Sequence, residues 1–254
     1  MKRAGRERGG IGWEVLSLPL LLGFWQVLAM LAAHRLFPTP IAVAEAMATL
    51  ALEGRLLEDL GKTLARALAG FGLAMALGIA LGLALGRQAW LDRLFSAWLV
   101  VGLNLPAIIV AIVLFIWLGL TETALIAAVV INKVPLVIVT IREGVRSFSA
   151  DYDELARALR LDWWTRLRRI HWPQLLPFML AAARTGLSLI WKIVLVFEVL
   201  GSDGGVGYRV SVFFQFFDVT AILAYTTSFI LVVLAFEYGI LRVLERRAFA
   251  WRRA

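Results

Sequence analysis

The sequence predicts an all-α integral membrane protein of about six transmembrane helices, and three observations carry that prediction. Of its 254 residues, 61% are hydrophobic and only 17% charged, where a soluble globular chain carries roughly 25% charged residues. So large an apolar surplus exceeds what one water-soluble core can hide, because a domain of this size needs a polar shell. The apolar residues also fall into runs of about 20, the length that crosses a hydrocarbon core. Finally, the runs are continuous: 73–85 and 124–131 are apolar at nearly every position, whereas barrel strands alternate with period two.

The expected spans are 13–33, 61–86, 93–118, 121–141, 174–200 and 219–241. Before the first stand Lys2, Arg3, Arg6 and Arg8, which resemble the basic start of a secretory signal, but the run 15–33 is longer than a signal's apolar region. An uncleaved span is expected, with cleavage near Ala32-Ala33 as the alternative. The segment 34–60 holds Pro38-Thr39-Pro40 and an amphipathic stretch, 41–52, with Glu45 and Glu53; it is expected to lie at the interface. The second span carries Gly70, Ala74, Gly78, Gly82 and Gly86 at steps of four, a stripe that lets another helix backbone approach closely.

Basic residues orient the spans. With a cytoplasmic N-terminus, eighteen of the twenty-six fall on cytoplasmic segments: four in the N-terminal tail, Arg87 and Arg93, seven between Arg142 and Arg169, and five from Arg242 onward. Five fall outside, at Arg35, Arg55, Lys62, Arg66 and Arg209. This bias fits six spans with both termini in the cytoplasm. The chain then divides into 1–60, a core 61–245 with a cytoplasmic loop at 142–172, and a basic tail 246–254.

The remaining three basic residues lie within spans, where an ionisable side chain costs several kcal/mol unless paired or wet. Lys133 sits beside Asn132 and Pro135. Arg184, Ser188 and Lys192 share one helical face of the fifth span, and Glu198 closes it near the outer surface. Asn104, Lys133, Ser188, Lys192 and Glu198 are candidate residues of a solute path, with Lys133 and Lys192 as cationic partners for a small anion. Arg184 suits snorkelling to the cytoplasmic interface, and Glu198 suits a pair with Lys192, Arg209 or a neighbouring subunit. Asn104, before Leu105-Pro106, serves either the path or a freed backbone carbonyl.

The cytoplasmic segment 142–172 reads as two short helices. The first, 151–159, has Ser149 or Asp151 as N-cap and Asp153 and Glu154 in its first turn. The second, 163–170, is capped by Asp162 and ended by Pro173. Glu154-Leu155-Ala156, three residues, Arg160, nine residues, Ile170, one residue, Trp172-Pro173 resembles the cytoplasmic loop motif of permease subunits of binding-protein-dependent ABC importers. Arg157, Leu159, Arg168-Arg169 and Pro177 extend the likeness. Thr63 to Arg66 leading to Gly70-Phe71, Leu105-Pro106, and Trp191 with Glu198 and Gly205 to Tyr208 resemble the nitrate, sulfonate and taurine branch. The motif glycine is Arg160 here, so either the turn is right-handed or contacts of the guanidinium hold it. The motif leucine is Trp172.

The resemblance implies a type I importer fold in the bacterial inner membrane, with the helix pair coupling to a separate ATPase through Asp153, Glu154, Ala156, Arg157, Arg160, Leu161 and Asp162. It implies as partners a second permease copy, two ATP-binding subunits and a periplasmic binding protein, with ATP and Mg on the ATPase and no cofactor on this chain. The solute would be a small anion such as a sulfonate, taurine or nitrate; an aromatic or heterocyclic nutrient is the alternative. Membrane lipid is expected around it, and no nucleic acid.

Other classes find less support. The chain has no cysteine and only two histidines, His34 and His171, too few for a thiolate or histidine-rich metal centre. Gly61-Lys62-Thr63 resembles the end of a P-loop, but Leu56 stands where the first glycine belongs. The run 201–205, Gly-Ser-Asp-Gly-Gly, reads as a flexible turn that re-enters or caps the pore. No nucleophile set for a membrane-embedded enzyme is evident. A structural or channel protein with a lipid-binding basic loop is the remaining competitor.

Overall fold

The computed structural model describes residues 11–241, with side chains at 16–239; the two basic tails, including 246–254, lie outside the described residues. The helices are α1 (Ile11–Ala32), α2 (Pro40–Leu52), α3 (Arg55–Arg87), α4 (Ala89–Asn104), α5 (Ala107–Leu118), α6 (Glu122–Arg146), α7 (Ala150–Ala158), α8 (Trp163–Arg166), α9 (Trp172–Gly201), α10 (Val206–Gln215) and α11 (Val219–Phe236). π-helical turns follow α8 (Leu167–His171) and α11 (Glu237–Leu241).

Four helical stretches among the described residues are long and apolar enough to cross a membrane: α3, α6, the run Trp163–Gly201 and the run Val219–Gly239. The fifth is bent. Where the sequence predicts one span over 93–118, Leu105 and Pro106 both take extended backbone and α4 meets α5 at 95°. Proline lacks an N–H to continue the ladder and disfavours helix in the residue before it, so the two extended residues break the span. Helix α1 carries a shorter apolar stretch, Leu16–Ala32, that is exposed at almost every position. The Trp25 indole ties it to the following loop by donating to the Pro38 carbonyl at 3.1 Å.

The centre is the α3–α6 pair. The small-residue stripe lets the two backbones close together: a Cβ added at Gly70, Gly82 or Gly86 would stand 2.7, 2.7 or 2.6 Å from Val129, Ile141 or Val145, nearer than side chains pack. Helix α9 covers this pair. Leu125, Val129, Ile190, Val194, Phe197 and Tyr225 form the core of one half; Val137, Ile141, Val145, Leu175 and Ala182 fill the other.

Pro173 does not end the second short helix. Helix continues from Trp163 to Gly201, because the π turn moves the ladder by one residue. The Trp172 N–H bonds the Leu167 carbonyl, and this wider turn takes in a proline that has no N–H of its own.

Candidate functional site

The two short helices meet at a turn whose bonds are all backbone. The Arg160 N–H donates to the Arg157 carbonyl at 3.1 Å and the Leu161 N–H to the Ala156 carbonyl at 3.0 Å, the paired bonds that close a helix through a left-handed residue. Arg160 is that residue, with φ +50°. Both sequence expectations for it are thereby corrected. The turn is left-handed, and the exposed guanidinium makes no hydrogen bond or ion pair among the described residues; the backbone bonds hold the conformation and offset about 1–2 kcal/mol of local strain.

Around this turn, Ala156 is buried and its carbonyl accepts from the Leu161 N–H. Asp162 caps α8 by accepting from the Thr165 N–H at 3.0 Å; bonds from Thr165 hold its carboxyl below the ordinary range. Asp153 faces inward and binds Arg166 at 2.8 Å, while Arg157 donates back to the Asp153 carbonyl and Glu154 stays exposed. Ser149 holds the N-cap position of α7 without a side-chain bond; its N–H donates to Gln174. Tyr152, Leu155, Leu159, Trp163 and Trp164 are all exposed, an apolar surface on a segment otherwise dense in charge.

At the opposite end of α3 and α9 lies a polar network with a buried centre. Asp59, Thr63 and Arg66 continue the buried face of the glycine stripe, and each is at most 4% exposed. Glu198, 1% exposed, accepts at 2.9 Å from the Thr63 hydroxyl, from Arg66 and from the Gly207 N–H. Arg66 also binds Glu122, Asp203 and the Gly204 carbonyl. Asp59 accepts from the Gly205 N–H, from Arg209 and from the Tyr225 hydroxyl.

This network corrects two expectations. Glu198 pairs with Arg66, not with Lys192 or Arg209, because Arg66 lies on the buried face of α3 and not in a solvated outer segment. The run 201–205 is not a free turn, since Arg66 and Asp59 hold its backbone. Gly205, at φ +97°, belongs where it is on two counts: an L residue is strained there, and its Cβ would lie 2.6 Å from the Glu198 carboxyl carbon.

The remaining in-span candidates separate. Ser188 and Lys192 lie on a face of α9 that is exposed among the described residues, together with Arg184, Leu189 and Val196. Lys133 is elsewhere: it is 2% exposed, with its stem near Phe71 of α3 and close to Gly186 of α9. Asn104 is exposed at the end of α4 and donates to the Val100 carbonyl, one turn back on its own helix, at 2.8 Å.

Sequence reasoning missed Asp59, Thr63 and Arg66 as a group. The available signal was their spacing of four and three, which runs straight into Gly70, Ala74, Gly78 and Gly82.

Comparison with known proteins agrees with this architecture. Residues 74–249 match the family described as binding-protein-dependent transport system inner membrane component. A protein named as an aliphatic sulfonates transport permease (SsuC) in Bacillus subtilis is 27% identical over 99% of this chain and 91% of its own length. The riboflavin transport system permease protein RibX of Chloroflexus aurantiacus is 32% identical over 94% of this chain and 91% of its own. In fold, the chain resembles the inward-facing MetNI methionine ABC transporter, with a TM-score of 0.65 and 17% identity over 76% of this chain and 97% of that one. The chain therefore belongs to the inner membrane components of binding-protein-dependent transport systems, as a multi-pass ABC importer permease of the branch that holds the sulfonate, nitrate and taurine permeases.

Proposed function

We propose that this permease passes a small anionic solute, of the sulfonate, taurine or nitrate kind, from a periplasmic binding protein to the cytoplasm, and that the α7–α8 turn docks on a separate ATPase. The observation that carries the docking is the exposed set Tyr152, Leu155, Leu159, Trp163 and Trp164. It sits on a turn closed by backbone bonds, beyond which helix runs from Trp163 into α9. Exposed apolar surface of this extent marks a contact site, and the acidic and basic residues around it, Glu154, Arg157 and Arg160, would form its polar rim.

In this reading two copies of the permease enclose the path and two ATP-binding subunits, which hold the ATP and Mg, close and reopen beneath them. Both termini lie in the cytoplasm. Closing shifts an equilibrium between inward-open and outward-open arrangements, which the loaded binding protein biases from the other side. Ser188 and Lys192 on the exposed face of α9 offer the solute a hydroxyl and a cation. Similarity to a riboflavin permease at 32% identity favours a second reading, an aromatic or heterocyclic nutrient.

Affinity purification of the tagged permease tests the docking. Recovery of an ATPase that is lost on deleting 151–169, and on the milder change Leu155→Glu with Leu159→Glu, supports it. An ATPase retained by both variants overturns it. Uptake of radiolabelled taurine against riboflavin by the assembled importer with its binding protein tests the solute.

A further inference from the structure

Between α7, the ends of α3 and α6 and the α8 region lies a half-open cavity of 490 Å³. Its walls are divided. Val145, Phe148, Ala150 and Trp163 make an apolar side; Arg87, Arg166 and His171 make a basic one, against a single carboxylate, Asp153.

The donors outnumber the acceptor. Asp153 takes one bond from Arg166 Nη2, at 2.8 Å, and stands 3.8 Å from His171 Nε2. Arg166 Nε and His171 Nδ1 are buried and have no partner. Arg87 is exposed and forms no hydrogen bond or ion pair among the described residues. Buried polar atoms without partners are uncommon in proteins and call for an explanation.

We propose that this cavity holds the headgroup phosphate of an anionic phospholipid, with Arg87 and Arg166 as its cations. Position favours a lipid over a free anion. Arg87 is the last residue of the spanning helix α3, which puts its guanidinium at headgroup depth on the side where basic residues gather. The apolar wall suits the glycerol and first acyl carbons, a surface that inorganic phosphate would leave empty. His171, stacked on Phe148 at 5.1 Å between ring centroids, closes the back.

A bound lipid of this kind would bridge α3 to the coupling turn through Arg87 and Arg166. It involves neither the solute nor the outer residues Tyr152, Leu155 and Leu159.

Native mass spectrometry of the full chain, released from nanodiscs of phosphatidylglycerol or phosphatidylcholine, tests the site. The expected result is one retained phosphatidylglycerol per chain and no retained phosphatidylcholine. Arg87→Gln should weaken retention about fivefold, since one basic residue at the surface contributes about that much. Arg87 has no described partner in the chain, so the variant is expected to fold; an unchanged gel-filtration profile checks this. Arg93→Gln, an exposed cation on α4 outside the cavity, should retain the lipid as wild type does. Equal retention of both lipids, or equal loss in Arg87→Gln and Arg93→Gln, overturns the proposal. Displacement of phosphatidylglycerol by excess inorganic phosphate that itself stays bound reassigns the site to a free anion and overturns the lipid.

Discussion

Replacing Glu198 by glutamine should cost the permease about 3 kcal/mol of stability, the lower end of what breaking a buried ion pair costs. The carboxylate accepts at 2.9 Å from a hydroxyl, a guanidinium and a backbone N–H. An amide of the same shape keeps one acceptor oxygen, and its NH₂ then faces a donor. At least one buried donor loses its partner, at about 1–3 kcal/mol. Arg66 is not orphaned, because Glu122, Asp203 and the Gly204 carbonyl remain, and this keeps the total at the low end. Glu122→Gln supplies the contrast: its side chain is 55% exposed, so water screens the pair and the loss stays within about 1 kcal/mol. Reversible unfolding in mixed detergent micelles, followed by tryptophan fluorescence, compares wild type with both variants. Limited proteolysis at 201–205 reports whether the outer loop has come free. Equal losses in the two variants would refute the reasoning, as would a Glu198→Gln loop as resistant as wild type.

Three further outcomes are expected. Arg160→Gly should stabilise the α7–α8 turn by about 1 kcal/mol, because glycine takes φ > 0 without a Cβ penalty; slower hydrogen exchange of the Leu161 amide is the readout. Gly78→Leu, whose side chain would start inside Val137, should destabilise the α3–α6 pair by about 1–3 kcal/mol, while Gly61→Ala, with nothing within 4 Å of the added carbon, should be neutral in the same melt. Lys192→Met should abolish solute uptake and leave complex assembly intact on gel filtration; unchanged uptake removes Lys192 from the path.

Four expected spans, 61–86, 121–141, 174–200 and 219–241, fall on helices long and apolar enough to cross, and the one at 93–118 breaks at a proline. Yet proline by itself is not the signal. Pro135 and Pro177 sit inside α6 and α9 without ending them, and Pro173 is taken in by a π turn. At 105–106 two consecutive residues are extended. Packing decides between these outcomes: Gly102 lies so near Pro135 that an added Cβ would be 2.8 Å from its ring, so α4 is set against α6 up to the break. A composition window averages over such contacts and cannot see them.

The outer network shows the same limit for charge. Counting basic residues by segment predicts an orientation, and for that purpose Arg66 and Arg209 are two interchangeable cations of the expected outer segments. Their environments differ completely: Arg66 is 4% exposed and bound to three carboxylates, while Arg209 binds Asp59 from the surface side of α10. The difference follows from helical phase. Arg66 stands four residues before Gly70 on the face that meets α6, so α3 can bury it only by supplying acceptors, and Glu122 at the start of α6 and Glu198 at the end of α9 are those acceptors. Each comes from a different helix, so no local window holds the set. The glycine stripe had already identified the buried face of α3; following that stripe outward past Gly70, and asking what a charge on it must meet, leads from one helix's periodicity to the residues that pin three others.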